Sequence, residues 1–170
     1  MSRSSAAFEP YPDPGEIWGY LEDRFGLERD RFARHRLWWR AGDKREKPVW
    51  IVHEDCAPPV EVKVDWVGLC LMRQPPPRGF PTSAFLRRFG APASRNVVDV
   101  DWDTGLRLMY NHQIEHAPLD DKGGPYIVRA PRTVLGRGWV RKGRLILDTP
   151  KGWPNQLMPR TELAEVGEAP

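Results

Sequence analysis

Cysteine is scarce in this chain of 170 residues: only Cys56 and Cys70 are present. They form no Cys-x-x-Cys pair, so they support neither a disulfide framework nor a zinc or redox motif. They read as a loop thiol and a core thiol. No apolar run approaches the ~20 residues of a membrane helix. Residues 1–7 lack the apolar stretch of a signal peptide, so a cytoplasmic protein with no membrane partner is expected. There is no internal repeat. There is also no Gly-rich strand-to-helix turn of the kind that holds a nucleotide cofactor, and no cofactor is expected.

What is present is an uneven charge. The net value is only +3. Residues 1–72 hold 11 basic and 13 acidic side chains, whereas residues 73–151 hold 14 and 7. The positive charge therefore lies in the second half, as in a module that binds a polyanion.

The order of elements predicts an α+β fold. Asp13 and Pro14 start a helix carrying Ile17, Tyr20, Leu21 and Phe25, and Gly26 stops it. A second short helix is expected over 30–35, with Phe32 inward. Residues 37–40 and 48–53 read as a hairpin with a polar loop. Residues 61–65 alternate, and 68–72 form a compact apolar run. Residues 1–12 read as a loose tail. Pro75, Pro76 and Pro77 form the clearest linker. After it come a helix with Phe85, Leu86 and Phe89, a strand over 96–100, and a helix capped by Asp101 or Asp103. Three strands follow, over 126–130, 133–141 and 144–148. The expected units are 1–73, a small α/β unit, and 79–155, a mixed β-barrel packed against it, with a tail over 156–170.

The last strands are strongly basic. Arg129, Arg132, Arg137, Arg141, Lys142, Arg144 and Lys151 face a single acid, Asp148. Such residues neutralise phosphates and release counterions, and arginine also stacks on bases. Gly136 and Gly138 are expected to let a phosphate approach the backbone. Tyr126, Trp139 and Trp153 are candidate stacking surfaces for unpaired bases, with core packing the favoured reading of Tyr126 and Trp139. Trp153, outside the strand pattern, reads as an exposed contact for an unpaired base. Arg87, Arg88 and Arg95 form a second basic group.

Pro81-Thr82-Ser83-Ala84-Phe85-Leu86-Arg87-Arg88-Phe89-Gly90, followed by Ala93-Ser94-Arg95-Asn96-Val97-Val98, resembles the opening of a PUA-like RNA-binding domain. Such domains occur at the C-terminus of certain rRNA cytosine-5 methyltransferases and in stand-alone archaeal proteins. Tyr126-Ile127-Val128-Arg129, Leu135-Gly136-Arg137-Gly138 and Pro150-Lys151-Gly152 continue the pattern. Upstream, Tyr20-Leu21-Glu22-Asp23-Arg24-Phe25-Gly26-Leu27 and Val49-Trp50 are similar to the pre-PUA segment. Phe80 stands where the family often has lysine. The resemblance spans roughly residues 14–153. It implies binding of structured rRNA or tRNA in RNA modification or ribosome biogenesis, with roles for Arg95, Arg137 and Lys151.

Catalysis is not expected. The methyltransferase portion has no counterpart, and Asp55-Cys56-Ala57-Pro58 holds the letters of the nucleophile motif in another order. His112-Gln113-Ile114-Glu115-His116 matches a zinc-hydrolase pattern that needs a helix, but Ala117-Pro118 follows at once, and a polar helix end is the expected setting. A further alternative is a protein-interaction module. In it, Trp38 or Trp39 docks an RNA methyltransferase or a ribosomal-subunit assembly partner, because adjacent strand residues cannot both enter one core.

Overall fold

The computed structural model describes residues 8–40, 47–59, 64–110, 112–119 and 123–149. The chain is α+β with two sheets. The first sheet contains β1 (Phe8–Pro10), β2 (His35–Arg40), β3 (Val49–His53) and β4 (Leu69–Met72), antiparallel and in that order. The second contains β5 (Val97–Asp99), β6 (Ile114–Glu115), β7 (Pro125–Ala130), β8 (Thr133–Arg141) and β9 (Arg144–Leu147), in the order β5-β7-β8-β9-β6. Only β5 and β7 run parallel, so this sheet is mixed, and it curls into a half-barrel. A bulge at Val128/Arg129 interrupts the β7–β8 register, and bulges increase local bend and twist.

Helix α1 (Pro14–Phe25) forms where local signals predict it. The Asp13 carboxylate accepts the Glu16 amide at 3.2 Å, and Gly26 closes the helix at φ 65°. A Cβ there would lie 2.1 Å from the Ser94 hydroxyl, so the stop also admits a close neighbour. The buried face is Ile17, Trp18, Leu21 and Phe25, with Tyr20 only half-buried. The expected second helix is a single 3₁₀ turn, Arg29–Phe32. Helix α2 (Ser83–Phe89) is capped by Thr82, whose hydroxyl accepts the Phe85 amide at 3.1 Å. Helix α3 (Trp102–Met109) is capped by Asp101, which accepts the Thr104 amide at 2.7 Å.

One hydrophobic core joins α1, the inner face of the first sheet and α2, and it reaches Ile127 and Val134 of the second sheet. It therefore runs across the Pro-rich segment. The second core lies on the opposite side of β7, where Tyr126, Val128 and Ala130 meet Leu108, Leu135 and Leu145. Strand β7 is buried on both faces, which explains its nearly continuous apolar sequence.

Two expectations need correction, and a third holds. Residues 8–10 are a strand on the edge of the first sheet and not part of a loose tail. The 112–116 segment is not a helix end: α3 stops at Met109, and Ile114–Glu115 pairs with β9. As strand alternation requires, Trp38 and Trp39 do not share a core: Trp39 packs on the first core and edge-on to Tyr11, whereas Trp38 lies on the other face, across from Trp50. The alternating strand 61–65 falls mostly outside the described residues.

Candidate nucleic-acid interface

The β8–β9 hairpin has two unlike faces. Its register pairs Trp139 with Ile146 and Arg141 with Arg144. Alternation then puts Arg137, Trp139, Arg141, Arg144, Ile146 and Asp148 on one side. Gly138, Val140, Leu145 and Leu147 lie on the other, toward the second core. Near its middle, the first side is covered by α2. The Ser83 hydroxyl donates to the Asp148 carbonyl and accepts the Arg137 amide, each at 3.1 Å. Toward the turn the cover ends, leaving a groove of about 390 Å³ lined by Arg137, Trp139, Arg141, Leu147 and Thr149.

Trp139 sits half-buried in that groove. Phe80 meets it edge-on, with centroids 5.1 Å apart. The Arg137 and Arg141 guanidinium carbons stand 5.5 and 5.8 Å from its ring centre. The hairpin turns at Lys142-Gly143, with φ 51° and 74°. Positive φ at both central residues is the type I′ geometry that matches strand twist. It places the exposed Lys142 at the tip, between exposed Arg141 and Arg144.

The other basic candidates are divided among separate places. The Arg137 side chain is tied down: Nε donates to Asp148 Oδ2 at 2.9 Å, Nη2 meets the same oxygen, and Nη1 donates to the Pro81 carbonyl at 3.0 Å. Arg129 grips both oxygens of Asp99 at 2.6 and 2.9 Å and the Ala91 carbonyl at 2.9 Å. The Arg129 hydrogen bonds hold the Asp99 carboxyl below its ordinary range. Arg87 is half-buried and donates to the Leu135 carbonyl at 2.8 Å, and burial lowers its pKa. All three arginines are thus engaged within the chain and brace the fold.

Arg132 occupies the other end of β8. It follows Pro131 at φ 65°, the backbone of the second central residue in a type II turn. Strand β8 has 9 residues, so at ~3.3 Å per residue Arg132 and Arg141 are about 26 Å or more apart. Arg95 is exposed beside α1 and donates to the Asp23 carbonyl at 3.3 Å. Arg88 faces a second cavity, beside β3. Lys151 and Trp153 lie outside the described residues. The structure thus gathers Arg141, Lys142 and Arg144 around Trp139, and sets the remaining described candidates elsewhere or in the frame.

The glycines have a different role from the one expected. Gly136 is buried at φ 140°, and a Cβ there would lie 3.0 Å from Ser83. A Cβ on Gly138 would lie 2.5 Å from a Val128 methyl. Both allow close packing within the protein and leave no room for a phosphate. Of the two readings the sequence allows for Trp139, core packing is the favoured one, whereas the ring is half-buried and lines the groove. Its signal was the i, i+2, i+4 spacing of Arg137, Trp139 and Arg141, which puts the ring on a charged face.

The His112–His116 motif does not have the geometry of a zinc site. In an extended segment, residues four apart are separated by about 13 Å. The His116 amide donates to the Gly143 carbonyl at 2.9 Å, which extends the sheet edge. Among the described residues, no three His, Cys, Asp or Glu side chains are grouped to hold a metal. No helix among them is long and apolar enough to cross a membrane.

Compared with known proteins, the chain matches no family model and no curated sequence.

Proposed function

We propose that the protein binds RNA through the open end of the β8–β9 face. The observation that carries this reading is a single arrangement: a half-buried tryptophan in a groove, with three exposed cations at the adjoining turn. Trp139 supplies a flat surface for an unpaired base, and base–aromatic stacking is worth about 1–3 kcal/mol. Arg141, Lys142 and Arg144 neutralise phosphates on either side of that base. Ile146 beside the ring adds apolar contact. Contacts of this kind favour loops and bulges over regular duplex.

A PUA-like barrel is the fold reading that accompanies this function. It draws on the Pro-Thr helix opening, the mixed sheet and the basic hairpin. The RNA class it suggests is rRNA or tRNA, during modification or ribosome assembly. In this reading the chain holds RNA and leaves chemistry to other proteins.

Fluorescence polarisation with a labelled RNA stem-loop tests the assignment. Trp139→Ala is expected to weaken binding about tenfold, within the range for loss of one stacked base. Unchanged affinity in a folded variant would remove the groove from consideration.

A second reading, docking of a protein partner, draws on Trp66. That side chain is 76% exposed and lies three residues before β4 of the first sheet. RNA affinity that appears only after a partner protein is added would favour it.

A further inference from the structure

A second cavity, of about 470 Å³, opens between β3, the segment 67–69 and the outward side of α2. This volume lies within the range of small-molecule sites, about 300–1,000 Å³. Its walls include Val52, Leu69 and Phe89. Two imidazoles line it as well. The His35 and His53 rings stand edge-to-face with centroids 5.6 Å apart, and His35 meets Phe89 in the same way at 5.4 Å. His35 Nδ1 is buried and has no hydrogen-bond partner among the described residues. Burial first, then the neighbouring His53, lowers the His35 pKa, which favours the neutral ring.

Arg88 stands at the rim. It is exposed and has no ion pair or hydrogen bond among the described residues. Ala84 lies one helical turn earlier on the same side of α2, and its small side chain keeps the mouth open. The opposite pair, Ser83 and Arg87, faces β8. Helix α2 therefore separates this cavity from the Trp139 groove.

The lining restricts the chemistry of an occupant. A purely aliphatic molecule would leave the Arg88 guanidinium and the polar imidazole edges in the lining unmatched. A bare inorganic anion would satisfy Arg88 and leave the apolar walls unfilled. A planar ring bearing hydrogen-bonding atoms and an attached anionic group fits both parts. We propose that this cavity binds one nucleotide unit, with the base laid against the exposed edges of the His35–His53–Phe89 ring cluster and the phosphate at Arg88. The unit comes either from an RNA strand or from a free mononucleotide, and the first source rests on the RNA-binding reading above.

The test is ¹H–¹⁵N NMR titration of the full chain with AMP and UMP, alongside polarisation with the labelled stem-loop. The variants are Arg88→Glu, Ala84→Leu to fill the mouth, and Arg141→Glu as the groove control. Wild type is expected to show saturable shifts around His35, His53 and Arg88 with at least one mononucleotide. Arg88→Glu and Ala84→Leu are expected to weaken that binding at least tenfold, and Arg141→Glu to leave it unchanged. If Arg88→Glu also weakens stem-loop binding, the unit belongs to an RNA strand; if the stem-loop is unaffected, the unit is a free nucleotide. No shifts with either mononucleotide, or shifts indifferent to both cavity variants, would overturn the proposal even where the groove binds RNA. Conversely, a protein that takes mononucleotides here but no RNA refutes the RNA-binding reading alone.

Discussion

At the β7–β8 end of the second sheet, Arg129 is held by both oxygens of Asp99 and by the Ala91 carbonyl, and Arg132 stands alone at a Pro-led turn. At the β8–β9 end, Arg141, Lys142 and Arg144 surround the turn beside Trp139, and the acid in the groove lining, Asp148, is already engaged by Arg137. Both ends are rich in arginine. They differ in whether an acid and a carbonyl reach each guanidinium, and in whether an aromatic ring lies beside it. Cations matched by fold-internal acceptors hold strands in place, whereas exposed cations next to a ring can meet a polyanion. A count of basic residues along the chain does not separate the two.

Substitutions at each end sharpen the contrast. The largest effect is expected from reversing all three turn cations, Arg141→Glu, Lys142→Glu and Arg144→Glu. RNA affinity should fall by about 100-fold or more, because phosphate attraction becomes repulsion. Melting temperature should change little, since all three side chains are exposed. Full affinity in that variant would erase the difference between the two ends.

Arg137→Ala should act on stability. It leaves the part-buried Asp148 carboxylate and the Pro81 carbonyl without their donor, at a cost of about 1–2 kcal/mol, whereas Arg141→Ala should stay within about 0.5 kcal/mol. Denaturant midpoints measured side by side decide this, and equal midpoints would show that the Arg137 bonds add nothing. Arg132→Gly should stabilise slightly, by about 0.5 kcal/mol, because glycine accepts positive φ without a Cβ penalty. Its RNA affinity should match wild type.

A pH-dependent effect concerns Asp99. Its carboxyl pKa is lowered in the folded state by Arg129. The pair's contribution is therefore fully present above the ordinary aspartate range and is lost as pH falls through the lowered value. The pair is largely exposed, with Asp99 at 65%, so Asp99→Asn should cost no more than about 1 kcal/mol at pH 7. Melting curves of the two proteins should converge below about pH 4. A gap that widens in acid would contradict the pairing.

Much of the fold was legible where a signal is local. Asp13, Pro14 and Gly26 bracket α1, Thr82 begins α2, and the glycine and proline turns divide β7, β8 and β9. Strands β1 and β6 were not legible, because three and two residues become strands only through a partner distant in sequence. The role of Trp139 was hidden for a related reason. Strand β7 is buried on both sides and β8 only in part, so Tyr126 and Trp139 look alike until the register is known. The division of the arginines depends on pairings such as Arg129 with Asp99, 30 residues apart, which no local pattern reveals. The basic character of the second half was readable, but not which of its charges the fold consumes.

The central claim is that RNA is held by the β8–β9 end and not by a generally basic sheet. The most direct test is the slope of log affinity against log salt for wild type, for Arg141→Ala/Lys142→Ala/Arg144→Ala, and for Arg132→Ala. With ~0.7 of slope lost per phosphate contact on a single strand, the triple variant should lose about 2 and Arg132→Ala nothing. A triple variant with the wild-type slope, or an equal loss in Arg132→Ala, would contradict the claim.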